Sequence, residues 1–129
     1  MNIVGIGTDI VECLKIAKLI ERHGELFLSR VFTSNEIAFC SSRKAATQNY
    51  TANWAAKEAV MKALGAGWNG GFEWRDIEVQ DLSGRQPVVR LAGTARELCE
   101  QRRVGDIIVS VAFCRTHATA YALALEREQ

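Results

Sequence analysis

TANWAAKEAVMKALG, Thr51 to Gly65, decides the fold class. Ala52, Ala55, Ala56, Ala59, Val60, Ala63 and Leu64 recur at intervals of three and four, which puts them on one helical stripe, and Gly65 is a natural C-terminal stop. The segment is therefore a helix, and its alanine-rich face lets a strand or a ligand approach closely.

Downstream, GAGWNGGFEW, Gly65 to Trp74, reads as a loop. Asp76 to Asp81 and Pro87 to Ala92 then read as two strands joined by the LSGRQ turn, Leu82 to Gln86. Thr94 to Arg103 is a further helix, with Thr94 and Glu97 spaced as a capping box. Two strands close the chain, about Asp106 to Cys114 and Ala118 to Glu126, with a turn at Arg115 to His117. In the last strand alanine alternates with Thr119, Tyr121, Leu123 and Leu125, a period of two that leaves one small face for close packing.

Upstream, residues 2–8 alternate and are rich in isoleucine and valine, which predicts a strand ending at Asp9. From Ile10 to Arg22 the apolar Ile10, Cys13, Leu14, Ala17 and Ile20 recur at helical spacing, opposite Glu12, Lys15, Lys18 and Arg22. Thr33 and Glu36 have capping-box spacing, so a short helix begins after Thr33, and residues 43–49 form a polar connection. Helices followed by hairpins imply an α+β fold rather than a doubly wound parallel sheet.

The 129 residues suffice for one domain, read as 1–129. Apolar residues make up 48% and charged residues 24%, ordinary values for a soluble globule, and a single proline argues against a linker rich in that residue. The net charge of +1, with acids and bases interspersed, provides no long-range field for nucleic acid or an anionic membrane. MNIVGIGTDI lacks a charged signal region and no long apolar run occurs, so a cytoplasmic protein is expected. The four cysteines, Cys13, Cys40, Cys99 and Cys114, lack metal-ligand spacing and read as reduced core residues. His23 and His117 read as surface residues.

Gly5 and Gly7 open no dinucleotide motif, because the third glycine position falls on Ile10; they instead allow close approach to a strand. Asp9, among Ile6, Ile10 and Val11, must be paired, hydrogen-bonded or metal-bound. Read alone it is an N-cap for the helix starting near Ile10, a bond worth roughly 1 kcal/mol. Glu58 and Lys62 fall about 40° apart on the border of the alanine stripe. An i, i+4 surface ion pair of about 0.3 to 0.5 kcal/mol is one reading. The other is a shared site in which Lys57 and Lys62 place positive charge beside one acid, as a phosphate ester with a metal would require. Two carboxylates without histidine or thiol partners are a hard oxygen set, suited to Mg²⁺ rather than zinc.

Gly7-Thr8-Asp9-Ile10-Val11-Glu12 and Trp54-Ala55-Ala56-Lys57-Glu58-Ala59-Val60-Met61-Lys62 together resemble the paired motifs of the holo-[acyl-carrier-protein] synthases, small 4'-phosphopantetheinyl transferases. Weaker similarity covers LSRVFTSNEI, DIEVQDLSGRQPVV and the closing VSVAFCRTHATAYALAL. The resemblance implies the phosphopantetheinyl transferase fold, an antiparallel sheet with a long helix packed on it, assembled as a homotrimer with active sites between subunits. It implies Mg²⁺-dependent transfer of phosphopantetheine from coenzyme A to a serine of an apo acyl carrier protein, releasing adenosine 3',5'-bisphosphate, in pathways such as fatty acid biosynthesis. By position it makes Asp9 and Glu58 the metal ligands and Asp9, Glu58 and Lys62 the catalytic set, with Lys62 on phosphate. It assigns Arg43, Lys44, Lys62 and Gly65 to coenzyme A, and Lys15 and Arg22 to the carrier protein. Two departures stand out: Asn53 where many members have arginine, and Ala112-Phe113 where many have Ser-His. They motivate an alternative, a non-catalytic relative that binds coenzyme A or the carrier.

Overall fold

The computed structural model describes residues 2–65, 71–80 and 86–128. Its elements run β1 (Ile3–Glu12), α1 (Cys13–His23), α2 (Glu25–Val31), α3 (Ser34–Ser41), α4 (Ala46–Ala63), β2 (Ile77–Gln80), β3 (Val88–Leu91), α5 (Gly93–Gln101), β4 (Val104–Phe113) and β5 (His117–Glu126). An antiparallel sheet of order β1-β5-β4 and a β2-β3 hairpin surround α4, which confirms the α+β reading. Residues 66–70 of the expected loop and 81–85 at the expected LSGRQ turn lie outside the described residues.

The small residues explain why α4 lies flat on the sheet. Ala118, Ala120, Ala122 and Ala124 of β5 are buried on the face toward the helix, where Ala55, Ala56, Ala59 and Ala63 are buried too. A Cβ placed on Gly7 would come 1.8 Å from the Ala59 carbonyl oxygen, and one on Gly5 would come 1.9 Å from that of Ala63. Two backbones therefore meet with no side chain between them, the close approach expected of this glycine pair. Gly65 ends the helix at φ +73°, a left-handed conformation that favours glycine, and its N–H donates to the Lys62 carbonyl at 3.0 Å.

Three local expectations are corrected. Asp9 does not cap a helix: β1 continues through Glu12, pairing Asp9 with Ala120 and Val11 with Ala118, and α1 starts at Cys13. Ladder pairing with β5 outweighs the helical periodicity, and the Cys13 N–H is satisfied by the Thr116 carbonyl at 2.8 Å rather than by a cap. The buried face of α1 is accordingly Cys13 and Ile16, while Ile10 and Leu14 are exposed. Thr94 makes no capping box either, because α5 begins a residue earlier, at Gly93, with Ala92 in the cap position. The Thr33–Glu36 box does form, with both reciprocal bonds present. Cys13, Cys40 and Cys99 are buried as expected; Cys114 departs from that expectation and is exposed in the β4–β5 turn.

Candidate active site

Strand β1 and helix α4 bring the two motif acids together. Asp9 points to the helix side of the sheet, Glu58 emerges half-buried from α4, and both line one open cleft of about 590 Å³. Helix α1 contributes Lys15, Lys18 and Arg22 to the lining, and Trp54 contributes to it from α4. Lys62, one turn beyond Glu58, sends its ammonium to Asp9 Oδ1 at 3.2 Å and to the Thr8 carbonyl oxygen at 3.0 Å. The Asp9 carbonyl accepts from the Thr119 hydroxyl at 3.1 Å, which ties this stretch of β1 to β5.

The cleft combines anionic and cationic walls. Asp9, Glu12 and Glu58 bring acids to its lining, and Lys15, Lys18 and Arg22 bring the basic ridge of α1. Lys15 lies over the Trp54 ring, 5.3 Å from its centroid, and the Trp54 ring packs on Trp74 at 4.3 Å and on Phe27 at 5.8 Å. Lys18 and Trp54 were not singled out as site residues from sequence, although the charged stripe of α1 and the second motif contain them.

Lys57 does not place charge beside Glu58. It is fully buried, with its ammonium 2.8 Å from Glu36 Oε1 and hydrogen-bonded to the carbonyls of Trp74 and Ile77. Successive helical residues point about 100° apart, so the same turn that delivers Glu58 to the cleft turns Lys57 into the core. Burial lowers the Lys57 pKa, opposed by the Glu36 charge.

Arg43, Lys44 and Gly65 lie outside this cleft. Arg43 stacks over Phe39 at 4.6 Å, and it and Lys44 precede the first turn of α4, whereas Gly65 follows the last. The two groups flank opposite ends of a helix about 27 Å long. Asn53 is buried and donates to the Val79 carbonyl at 3.3 Å, on a different side of α4 from Glu58. Ala112 and Phe113 line a separate groove beside Gln86 and Pro87. His23 and His117 are exposed. Among the described residues no helix is long and apolar enough to cross a membrane.

Residues 5–125 match the family model of the 4'-phosphopantetheinyl transferase superfamily. A holo-[acyl-carrier-protein] synthase of Rhodopirellula baltica is 44% identical over 123 residues, 95% of this chain and 98% of that protein. The crystal structure of a holo-[acyl-carrier-protein] synthase from Neisseria meningitidis superposes with a TM-score of 0.85 at 27% identity, over 97% of this chain and all of that one. A Helicobacter pylori holo-[acyl-carrier-protein] synthase solved in complex with coenzyme A superposes with a TM-score of 0.81 at 25% identity, over 93% of this chain and 99% of that one.

Proposed function

The chain belongs to the 4'-phosphopantetheinyl transferase superfamily, among the holo-[acyl-carrier-protein] synthases, and on that premise we propose that it moves 4'-phosphopantetheine from coenzyme A to a serine of an apo acyl carrier protein. The reaction is Mg²⁺-dependent and releases adenosine 3',5'-bisphosphate. The observation that carries this reading is the convergence of Asp9 and Glu58 on one cleft, with the Lys62 ammonium already drawn to Asp9.

The donor set suits Mg²⁺. Among the described residues no group of three or more His, Cys, Asp or Glu side chains forms a metal cage. Two carboxylates are nevertheless a sufficient protein share for Mg²⁺, which keeps several waters and takes phosphate oxygens from its substrate. Asp9 and Glu58 would hold the ion, and when bound it would neutralise charge on the pyrophosphate.

The remaining chemistry falls to the chain's own side chains. The carrier serine oxygen forms a bond to the phosphorus next to pantetheine, and the bond from that phosphorus to the bridging oxygen breaks. Glu58, directly or through a water, takes the serine proton. Lys62, whose side chain is 53% exposed, turns from Asp9 to the leaving bisphosphate. Lys15 and Arg22, with Lys18 between them on the α1 ridge, receive the acidic carrier.

A homotrimer completes the site. The face of the sheet turned away from α4 exposes Ile6, Ile10, Ile108 and Tyr121, an apolar surface suited to contacts between copies. A subunit boundary also lets Arg43, Lys44 and Gly65, at the ends of α4, serve coenzyme A bound between neighbours. We read the chain as one cytoplasmic domain that serves a carrier-dependent pathway such as fatty acid biosynthesis.

The test is to incubate the purified protein with coenzyme A, Mg²⁺ and an apo acyl carrier protein, then to follow the carrier by intact mass. The phosphopantetheine adduct is the expected product. Coenzyme A binding without adduct would overturn the reading in favour of a non-catalytic relative.

A further inference from the structure

Lys57 is a fully buried cation that the proposed chemistry does not use. Its three ammonium hydrogens have three acceptors: Glu36 Oε1 and the carbonyls of Trp74 and Ile77. Glu36 is occupied in turn, with Oε1 also accepting from Thr33 N at 2.8 Å and Oε2 accepting from Val79 N at 2.8 Å. This hub joins the start of α3, the middle of α4 and the segment that enters β2. Buried ion pairs are often no more stabilising than apolar side chains of the same size, so stability alone is a weak reason for this one. What the pair supplies is direction, because a carbonyl bonded to a fixed ammonium cannot slide as an apolar contact can.

The direction matters because Trp74 carries the hub to the cleft. Its carbonyl is held by Lys57 at 3.2 Å, and its ring packs 4.3 Å from Trp54, the ring beneath Lys15. We propose that Lys57 is a positioning residue: clamped by Glu36, it holds the Trp74–Trp54 ring pair in place and so sets the wall against which the carrier protein docks. The inference rests on the transferase reading above, because the carrier is its readout.

Lys57→Met alone would strand the Glu36 charge in the core, so the test uses Glu36→Gln/Lys57→Met, which removes both charges. This variant should fold, with KM for the apo carrier raised about fivefold, the scale of loss expected when a packed docking wall shifts. Its kcat, its KM for coenzyme A and its Mn²⁺ affinity should remain within about twofold of the wild type, because Glu58 and Asp9 stay in place. Trp74→Leu should raise the carrier KM similarly, and combining it with the charge-free variant should add nothing, since both act through one ring pair. The near-UV circular dichroism of the coupled indoles should fall in the charge-free variant.

A folded variant with unchanged carrier KM and unchanged indole signal would overturn the proposal, as would additive losses with Trp74→Leu. If the wild type transfers nothing, the transferase reading fails, while the indole signal still decides whether Lys57 holds the ring pair.

Discussion

Lys62 of α4 and Asp9 of β1 form an ion pair, Nζ to Oδ1 at 3.2 Å, so the helix brings its own cation to the acid proposed to bind metal. The Lys62 side chain is half-exposed and that of Asp9 is 17% exposed, so the pair is screened and releasable rather than locked.

The first prediction concerns that competition. Lys62→Met should tighten Mn²⁺ binding to the protein without coenzyme A by about two- to fivefold, the range of a partly exposed pair. With coenzyme A present the order should reverse, because the phosphates lose their lysine. Electron paramagnetic resonance of free Mn²⁺ measures both. Weaker Mn²⁺ binding by the variant alone would show that Lys62 does not compete for Asp9.

Asp9→Asn and Glu58→Gln should each lower Mg²⁺-dependent transfer by about 10²-fold or more, as loss of one preorganised electrostatic partner does. Their thermal midpoints should stay close to the wild type, since neither side chain is a core packing element. Intact-mass assay of the carrier reads the first and circular dichroism the second. Full activity in either variant would remove that acid from the mechanism.

Gly7→Ala should be among the most destabilising substitutions in the chain. The added methyl meets the Ala59 carbonyl oxygen at 1.8 Å, and backbone against backbone has no side chain to give way. Overpacking costs about 1 to 3 kcal/mol and more where nothing can move, which urea unfolding will resolve. Since Ala59 adjoins Glu58, residual folded protein should also show reduced transfer.

Lys15→Glu should raise the carrier KM about fivefold at low salt and less at high salt, because charges at an interface rim chiefly steer association. The same change removes the cation from the Trp54 face. A KM that does not move with salt would separate α1 from carrier recognition.

Cys114 should alkylate with a pH midpoint near that of its thiol, which the Thr116 hydroxyl, aided by the backbone N–H groups of Thr116 and His117, pulls down to about 7. The thiolate is the nucleophile, so the rate rises as pH climbs through that value, against about 8.5 for an ordinary cysteine. Thr116→Val should move the midpoint upward. Cys13, Cys40 and Cys99 are buried and should stay silent in the folded protein; iodoacetamide labelling with peptide mapping distinguishes the four.

Much of this was legible because small residues leave a strong imprint on sequence. Gly5, Gly7 and the alternating alanines of β5 announce a close approach to a strand, which the structure fills with the backbone of α4, and Thr33 with Glu36 announces a helix start, since both patterns arise from contacts or bonds that few other residues permit. Asp9 and Glu58 were legible as acids at apolar boundaries. The helix Glu25–Val31 left no such mark, and the Thr94 box was a pattern without its bond.

The sequence by itself therefore determined the α+β class, the long alanine-faced helix and the two motifs with their acids. Only the tertiary structure decided that Asp9 belongs to a strand, that Lys62 pairs with it, and that Lys57 turns inward to Glu36 while its neighbour Glu58 faces the cleft. The physical reason is range. Propensity and capping read a few adjacent residues, whereas a ladder to Ala120 and an ion pair between two helices depend on partners that only the folded chain brings into reach.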